Sequence, residues 1–495
     1  MLLRRTTSAL PLCSARALSL ALPKQRCMST DPAADAQKEV AELVARSRAA
    51  QAQIEHYTQE QVDDLITAVV WSVCQEETAK TIAQHTVDET RLGNYDGKFL
   101  KIHRKTRAAL QDIIEDKSVG VIEELPERAI VKIAKPVGVI GALSPSTNPE
   151  ATPVIKGINA IKGRNSIVIA PHPRAAKTNA MICELMRGAL TKMGAPADLV
   201  LTMDSPSVGK TTELMKQCDL VLATGGAPMV SAAYSSGTPA LGVGAGNCVT
   251  TVDETADLDE AATKIALSKT LDLAASCSAD NSVLLVGSIY DTMLGKLQEK
   301  GGYVLNADEK AKLQDTLWVD GHLNTKIVAT TAVEIASAAG FSVPDDKTFL
   351  IVPETGYGKA HPFSGEKMSV TMALYHVPDI DSAVEMTNNI QEYQGQGHSC
   401  GIYTKNDDNV MKLALATKTS RLLVCQPQAA SNSGNLWNGL RQTFSLGCGS
   451  WGKTSICDNI NWRHLVNETW VSRNLPKPKE LWPDEKLFAR IAGKV

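Results

Sequence analysis

The spacing of hydrophobic residues changes twice along the amino-terminal third of the chain. Between about residues 40 and 117 they recur every three or four positions, as at Val62, Leu65 and Ile66, which is the periodicity of amphipathic helices. Residues 119–136 instead alternate charged and β-branched side chains, which predicts two exposed strands. We therefore expect a helical segment followed by a small β arm of the kind that often forms contacts between subunits.

From residue 136 onward, short apolar runs alternate with helical segments. A first set of runs predicts strands at 137–143, 166–170, 199–203, 220–224 and 249–252. A second set, which begins near Lys269, predicts strands at 282–286, 348–352, 372–376 and 420–424. Repetition of strand, helix and strand is typical of parallel sheets with right-handed crossovers. The chain is therefore expected to be an α/β protein with two parallel-sheet units.

Composition and charge exclude several classes of protein. The 495 residues are 43% hydrophobic and 21% charged, which is typical of a soluble globular protein with two to four domains. Lys and Arg number 51 against 54 Asp and Glu, so no basic surplus indicates a nucleic-acid partner. None of the eleven cysteines forms a Cys-x-x-Cys pair and no two histidines lie four positions apart, so we expect neither a metal site nor a disulfide framework.

Residues 1–30 differ in composition from the rest of the chain. They contain five basic residues, many Ser, Leu and Ala, and no acidic residue, which is typical of an organelle transit peptide. This pattern predicts a mitochondrial matrix protein, with a disordered basic tail and a cytoplasmic location as the alternatives. No segment qualifies as membrane-spanning, because glycines and prolines interrupt the uncharged run at 220–252.

Two residues are candidates for chemistry. Cys277 lies among small residues just before a predicted strand, where a nucleophilic thiol would have room for a substrate, although a lone Cys is more often a buried apolar residue. Asn148 follows another strand and precedes Pro149, so its amide could stabilise an oxyanion or simply cap the next helix. Ligands of parallel sheets bind at the carboxyl ends of strands, so the loops 144–148, 171–174 and 224–228 should face one crevice.

The glycine-rich segments give weaker signals. The sequence Gly-x-x-x-x-Gly-Lys-Thr at 447–454 matches a phosphate-binding P-loop. A P-loop opens a helix, however, and residues 455–462 are poor helix formers with too little chain after them for a nucleotide-hydrolysing domain. The P-loop interpretation is therefore disfavoured.

Short collinear segments from about residue 40 to 471 together resemble the CoA-acylating branch of the aldehyde dehydrogenase superfamily. They are YTQEQVD at 57–63, PVGVIG at 136–141, STNP at 146–149, PHPR at 171–174, ATGG at 223–226, AYSSG at 233–237, GVGAGN at 242–247, SKT at 268–270, GHSC at 397–400 and LGCGSWG at 446–452. The resemblance implies an enzyme with two Rossmann-type domains and a small oligomerisation arm. It also explains the glycine loop near residue 450 as a neighbour of the active site.

The resemblance implies a role for each matching residue. Cys277 would be the nucleophile and Asn148 the oxyanion-hole donor. Gly242 stands where hydrolytic members have a water-activating Glu, which favours release of the acyl group by CoA, with a hydrolytic enzyme or a non-catalytic scaffold as alternatives. The residues implied to contact NAD, or alternatively NADP, are Ser146, Thr147, Pro171, His172, Arg174, Thr224, Gly225, Gly226, Gly242, Gly244 and Glu366. Those implied to contact substrate are His398, Arg441 and Cys448.

The resemblance also divides the chain and suggests its partners. Residues 31–117 with 137–268 would bind the dinucleotide, 269–435 would be catalytic, 436–459 would form the glycine loop, and 118–136 with 460–475 would form the arm of a homo-oligomer. The partners would be an aldehyde and CoA, without a nucleic acid or a membrane. The carboxyl-terminal segments look more like the sulfoacetaldehyde enzymes of the branch, whose anionic substrate Arg441 could bind.

Overall fold

The computed structural model describes residues 32–494. The α-helices are α1 Pro32–Ile54, α2 Gln59–Cys74, α3 Glu76–Thr90, α4 Tyr95–Leu100, α5 Thr106–Ile113, α6 Thr152–Lys162, α7 Ala176–Lys192, α8 Val208–Gln217, α9 Ala227–Tyr234, α10 Leu258–Thr270, α11 Tyr290–Glu299, α12 Ala307–Leu317, α13 Ala332–Ala338, α14 Ile380–Tyr393, α15 Asp407–Ala416, α16 Gln428–Ser431 and α17 Asp484–Leu487. No helix in this part of the chain is long and apolar enough to cross a membrane.

The strands form three main sheets and one short hairpin. They are β1 Gly120–Leu125, β2 Ile130–Pro136, β3 Val139–Ser144, β4 Ser166–Pro171, β5 Val200–Thr202, β6 Leu220–Thr224, β7 Ala240–Val243, β8 Cys248–Val252, β9 Asp280–Val286, β10 Gly302–Val304, β11 Trp318–Val319, β12 His322–Leu323, β13 Phe349–Pro353, β14 Thr371–Val377, β15 Cys400–Tyr403, β16 Leu422–Val424 and β17 Val466–Ser472. The α/β class with parallel sheets, predicted from the sequence, is confirmed.

The first sheet is parallel, with the order β5-β4-β3-β6-β7. Alternate residues of β3 enter different hydrophobic clusters because successive side chains of a strand point to opposite faces. Ile140 and Ala142 pack with α2, α6 and α7, whereas Val139 and Leu143 pack with α1 and α8. This sheet is therefore covered by helices on both faces, and only its ends are open to ligands.

The second sheet is also parallel, with the order β10-β13-β14-β9-β8-β15-β16. The sequence places residues 249–252 in the first sheet, and this assignment is wrong, since β8 lies between β9 and β15. An apolar run indicates a buried strand but carries no information about which sheet the strand joins. Residues of α10 pack on the same core as β8. β8 and α10, which the sequence assigns to the dinucleotide-binding segment, therefore belong to the second sheet and its core.

The predicted two-stranded arm is present and has a third strand. β1 and β17 both pair antiparallel with β2, so the carboxyl-terminal segment returns to the arm as expected. The side chains of this sheet are largely exposed or half-buried, including Trp470 on β17. The arm is a separate sheet that pairs with neither parallel sheet, and its residues Ile122 and Val466 pack against the core of the first one.

One continuous helical segment, residues 95–113, runs through α4, a π-helical turn at Lys101–Lys105, and α5. Asn94 caps it by accepting a hydrogen bond from the backbone N–H of Gly97. A π-helical turn contains an extra residue and changes the direction of the side chains around it, and such turns are frequent at functional sites.

Candidate active site

A cavity of about 490 Å³ lies at the carboxyl ends of the first sheet, against loops that precede strands of the second sheet. It is the crevice expected from the strand order. The residues singled out by the sequence that line it are Ser146, Thr147, Asn148, Pro171, His172, Thr224, Gly225, Gly226, Gly244, Cys277 and Glu366. Both candidates for chemistry, the Cys277 thiol and the Asn148 amide, therefore belong to one cavity.

Cys277 lies between a strained turn and the start of β9. Three consecutive residues of that turn, Asp272, Leu273 and Ala274, have φ values of 49°, 52° and 62°. Such left-handed conformations cost on the order of 1–3 kcal/mol each for residues other than glycine. Burial, together with the nearby Glu366, raises the pKa of the Cys277 thiol to about 12. The thiol is therefore protonated at neutral pH in the ligand-free protein.

His398 lies within reach of this thiol. Its Nε2 is 3.3 Å from the Cys277 Sγ, and its Nδ1 is 2.7 Å from the Ser399 hydroxyl oxygen. Burial lowers the pKa of His398 to about 3, and the Arg421 guanidinium lowers it as well, so the imidazole is neutral at pH 7. The Arg421 side chain donates a hydrogen bond to the backbone oxygen of His398 at 2.7 Å. The neutral His398 Nε2, which lies outside the cavity lining, is therefore placed to accept a hydrogen bond from the Cys277 thiol.

Asn148 follows β3 in a loop whose local structure differs from expectation. The helix predicted to begin at Pro149 begins at Thr152 as α6, and its N-cap is Ala151. Asn148 therefore does not cap this helix with its side chain. Its Nδ2 donates to the Thr147 hydroxyl at 3.1 Å, and its Oδ1 has no partner among the described residues. One N–H of the amide is left for a ligand.

Glu366 is the one acidic side chain among the described residues that line the cavity. Burial raises the pKa of Glu366 to about 8, although Lys367 opposes the shift. The carboxyl group is therefore mostly protonated at neutral pH. A cavity with this lining carries little negative charge and can accept an anionic ligand.

Arg441 does not lie at the cavity. Its guanidinium is paired with the carboxylates of Asp112 and Asp116 and donates to the Asp112 backbone oxygen at 2.5 Å. The expected substrate contact is therefore not made, because both acidic partners on and after α5 hold the side chain away from the thiol. Sequence spacing could not show these partners, which are more than 300 positions away.

Three further sequence candidates lie outside the cavity lining. The Arg174 side chain donates to the backbone oxygen of Thr90 at 2.6 Å. Gly242 faces α9, since its N–H donates to the Tyr234 hydroxyl and an added Cβ would lie 2.8 Å from the Tyr234 ring. Cys448 is buried beneath Gly244, where an added Cβ would lie 3.2 Å from the Cys448 Sγ.

The segment that matches a P-loop has a different structure. Ser450–Gly452 forms a single 3₁₀ turn that ends at Lys453 in a left-handed conformation, and no α-helix follows before β17. The Gly449 backbone is packed against Cys457. The segment therefore lacks the helix whose N-terminus would bind a phosphate.

Sequence reasoning missed three lysines that contact the loops around the cavity. Lys98 and Lys101 are buried, and Lys105 is partly buried. Lys98 donates to the backbone oxygen of Thr147, Lys101 to that of Ala275, and Lys105 to those of Ser433 and Gly434. Their spacing of three and four positions within a helical pattern was visible in the sequence, but it is also the spacing of a solvated helix face.

Comparison with known proteins decides the family. The family model for aldehyde dehydrogenases matches residues 16–310. A sulfoacetaldehyde dehydrogenase from Acholeplasma is 42% identical over 450 residues, which are 90% of this chain and 92% of that protein. The chain belongs to the aldehyde dehydrogenase family. A further family member, an acetylating succinate-semialdehyde dehydrogenase from Clostridium kluyveri, is 38% identical over 90% of this chain and 98% of its own length.

Solved structures of aldehyde dehydrogenases share the fold. An acetylating aldehyde dehydrogenase from Geobacillus thermoglucosidasius superposes with a TM-score of 0.87 at 34% identity, covering 91% of this chain and 100% of that one. A propionaldehyde dehydrogenase from Rhodopseudomonas palustris, solved with bound CoA and an acylated cysteine, superposes with a TM-score of 0.78 at 25% identity, covering 88% and 97%.

The mitochondrial location predicted from residues 1–30 is wrong. The sulfoacetaldehyde, succinate-semialdehyde and acetylating aldehyde dehydrogenases named above, each similar over about nine-tenths of this chain, come from bacteria, which have no mitochondria. The family match begins at residue 16, inside the segment interpreted as a transit peptide. Residues 1–30 themselves lie outside the described residues. A basic, acid-free composition was too general a signal for this location.

The pKa values predict how the thiol of this aldehyde dehydrogenase reacts with iodoacetamide. The reactive form is the thiolate, so a pKa above the working pH should make alkylation of Cys277 rise about tenfold per pH unit from pH 6 to 8. Above pH 8 the rise should flatten, because ionised Glu366 opposes formation of the thiolate. Alkylation is measured by mass spectrometry of the Cys277 peptide.

The matched control for this measurement is Glu366→Gln, which should keep the steep rise above pH 8. The exposed Cys457, followed in the same digest, should react equally in both proteins. A flattening that persists in Glu366→Gln would show that another group controls the thiol.

Proposed function

We propose that this protein is a CoA-acylating aldehyde dehydrogenase that oxidises a short-chain aldehyde to an acyl-CoA. The observation that carries the proposal is the Cys277 thiol in one cavity with the Asn148 amide and without an ionised carboxylate at neutral pH. A thiol and an oxyanion donor form an acyl-enzyme, whereas hydrolysis also needs a base that activates water. The resemblance places that base at Gly242, which has no side chain and lies outside the cavity lining, so no group at this position can activate water in the cavity.

The residues would act in sequence on the aldehyde. Cys277 loses its proton to solvent, and its sulfur bonds to the aldehyde carbon while the carbonyl oxygen becomes an oxyanion. The Asn148 amide donates a hydrogen bond to that oxyanion. NAD or NADP, when bound, would supply the hydride acceptor for that carbon, and CoA would supply the thiol that takes the acyl group. The Cys277 thioester breaks at its C–S bond, which returns the thiolate to the enzyme.

The cavity fits anionic cofactors. Gly225 and Gly226 come directly before α9, at the carboxyl end of β6, where a parallel sheet binds dinucleotide phosphates. The neutral state of Glu366 at pH 7 removes the one carboxylate that would repel a phosphate or a pantetheine-linked nucleotide in the lining. These features support NAD or NADP in the first unit and CoA at the same crevice.

Sulfoacetaldehyde is the aldehyde that we propose first, because the Acholeplasma relative bears that name. Among the described residues that line the cavity there is no Lys or Arg, while Ser276 and Ser278 flank Cys277 and Ser433 also belongs to the lining. Hydroxyl and backbone donors can bind sulfonate oxygens without a fixed cation. Arg441 has no part in this proposal.

The test is a panel of sulfoacetaldehyde, succinic semialdehyde and acetaldehyde, each with NAD or NADP and CoA. We expect the highest kcat/KM with sulfoacetaldehyde and an acyl-CoA product identified by mass. Arg441→Ala should change the KM values of charged and uncharged aldehydes by the same factor, within about twofold, because its ion pairs lie outside the cavity. A selective rise of KM for the anionic aldehydes would return Arg441 to the substrate site.

The arm supports a second part of the proposal, a homo-oligomer. β1 and β17 are both edge strands of a three-stranded sheet, and their free backbone groups can pair with another copy. Trp470 is 51% exposed on β17, so a large apolar ring is available there for contact with another copy. Sedimentation of the wild type and of Trp470→Lys distinguishes an oligomer formed through the arm from a monomer.

A further inference from the structure

Three lysines of one helical segment bind three of the loops that line the cavity. Lys98 is on α4, and Lys101 and Lys105 begin and end the π-helical turn that follows. Their ammonium groups donate to backbone oxygens of the Asn148 loop, the Cys277 loop and the loop at 433–434. None of the three lysines contacts Cys277, Asn148 or His398 among the described contacts, so the proposed mechanism gives them no role.

Lys98 makes the most informative of these contacts because it joins two loops at once. Its Nζ donates to the Thr147 backbone oxygen at 2.6 Å and to the Asp272 Oδ2 at 2.8 Å. Thr147 is the neighbour of Asn148, and Asp272 opens the turn that leads to Cys277. A single ammonium group therefore bridges the loop of the oxyanion donor and the loop of the nucleophile.

The other contacts of Asp272 hold the strained turn in place. Its Oδ1 accepts a hydrogen bond from the Asn94 backbone N–H at 2.9 Å, and its Oδ2 also accepts one from Lys101. An added Cβ at Gly97 would lie 2.5 Å from the Asp272 Cβ, so α4 packs directly on the turn. Backbone in this conformation persists only where its surroundings enforce it.

The cluster buries two basic and two acidic side chains together, and burial raises the pKa of Glu150 and lowers that of Lys101. Lys98 and Lys101 face Asp272, and the Glu150 carboxylate lies 3.9 Å from the Lys98 Nζ. Glu150 is two residues after Asn148, and its carboxylate oxygens accept no hydrogen bond from the described residues. Removal of one charge from such a buried group leaves the others uncompensated, which is strongly destabilising.

We propose that Lys98 is a positioning residue that sets the distance between the Asn148 amide and the Cys277 thiol. The role rests on the proposed function only through the oxyanion hole, and it applies to any acyl transfer at Cys277. A displacement of about 1 Å between catalytic groups can cost about a hundredfold in rate. Loss of the Lys98 bridge should therefore weaken the stabilisation of the oxyanion and leave the reactivity of the Cys277 thiol unchanged.

The test uses p-nitrophenyl acetate, which needs neither dinucleotide nor CoA. The Cys277 thiolate would attack the ester carbon, p-nitrophenolate would leave, and an acetyl thioester would remain. We expect Lys98→Met to slow this acylation burst by about 10- to 100-fold, because the oxyanion is less well held. Iodoacetamide alkylation of Cys277, which forms no oxyanion, should stay within about twofold of the wild type.

Coupling to Asn148 separates positioning from general damage. If Lys98 acts through the hole, then Lys98→Met in an Asn148→Ala protein should add almost nothing to the loss already caused by Asn148→Ala. Multiplicative losses in the double variant would overturn the proposal. So would an equal fall of acylation and alkylation, because the lysine would then act on the thiol.

Lys162→Met is the matched control. Lys162 is also fully buried and also joins a carboxylate, that of Asp63, to a backbone oxygen, that of Ile114, but it lies away from the cavity. We expect it to lower the melting temperature and leave the burst rate unchanged. If it slowed the burst as much as Lys98→Met, the effect would be one of stability.

Lys98→Gln keeps a hydrogen-bond donor and covers the case in which Lys98→Met does not fold. It should recover part of the burst rate. A loss as large as that of Lys98→Met would contradict the proposal that the hydrogen bonds of Lys98 connect the two loops. A wild type that forms the acetyl-enzyme but oxidises no aldehyde would refute the proposed function and leave this inference standing. A wild type that forms no acetyl-enzyme would refute the inference.

Discussion

Replacement of Cys277 by serine should abolish aldehyde oxidation, and Asn148→Ala should lower the rate roughly 10²- to 10³-fold. Serine keeps the size of the side chain but not the nucleophilicity of a thiolate, and no other thiol lines the cavity among the described residues. Asn148 contributes one donor to the oxyanion, and the loss of one such donor typically has this magnitude. NADH formation at saturating aldehyde and CoA measures both effects.

Two variants control for this result. Cys457→Ser removes an exposed thiol and should leave turnover unchanged. Lys453→Ala would destroy a P-loop, and it should also leave turnover unchanged because that segment forms no phosphate-binding helix. If Cys277→Ser kept most of its activity, another residue would be the nucleophile, and a non-catalytic scaffold would be excluded at the same time.

Omission of CoA should reduce NADH formation at pH 7 to at most one turnover per active site. The acyl group would form on Cys277 and stay there, because Gly242 has no side chain and Glu366, with a pKa of about 8, is mostly protonated. His398 is a weak base in its buried position, since its pKa is about 3. Stopped-flow absorbance at low and high enzyme concentration gives the amplitude of the burst.

The pH dependence of CoA-free NADH formation is the control for this experiment. Any CoA-free turnover should increase through pH 8 as Glu366 ionises, and it should disappear in Glu366→Gln. Sustained CoA-free turnover at pH 7 with a free acid as product would instead favour the hydrolytic alternative. Free acid and acyl-CoA are separated by chromatography, so the two outcomes cannot be confused.

The sequence predicted most of the fold because the fold depends on local patterns. The strand at 166–170, for example, is buried on both faces, and the uninterrupted apolar run in its sequence predicts this burial. The assignment of residues 249–252 failed for the opposite reason. Pairing partners are set by contacts between distant segments, and a chain that crosses from one sheet to another leaves no mark in its own hydrophobicity.

The site was predicted where a residue type restricts the chemistry. A thiol among small residues and an amide after a strand are both unusual, and both line the cavity. Arg441 and Lys98 show the limit of such reasoning. Each is a basic residue in a polar context. Only the structure shows that Arg441 pairs with Asp112 and Asp116 outside the cavity, whereas Lys98 pairs with Asp272 at the edge of the cavity.

The bridge from Lys98 to Asp272 also bears on protein engineering by domain exchange. Lys98 belongs to the helical segment that precedes the first sheet, whereas Asp272 lies in the segment that leads into β9 of the second. A chimaera that joins the first half of one relative to the second half of another would inherit these two residues from different parents. Such a hybrid can retain both cores and still hold its nucleophile in the wrong place. Choosing crossover points that keep residues 98, 101 and 272 from one parent preserves the geometry as a unit.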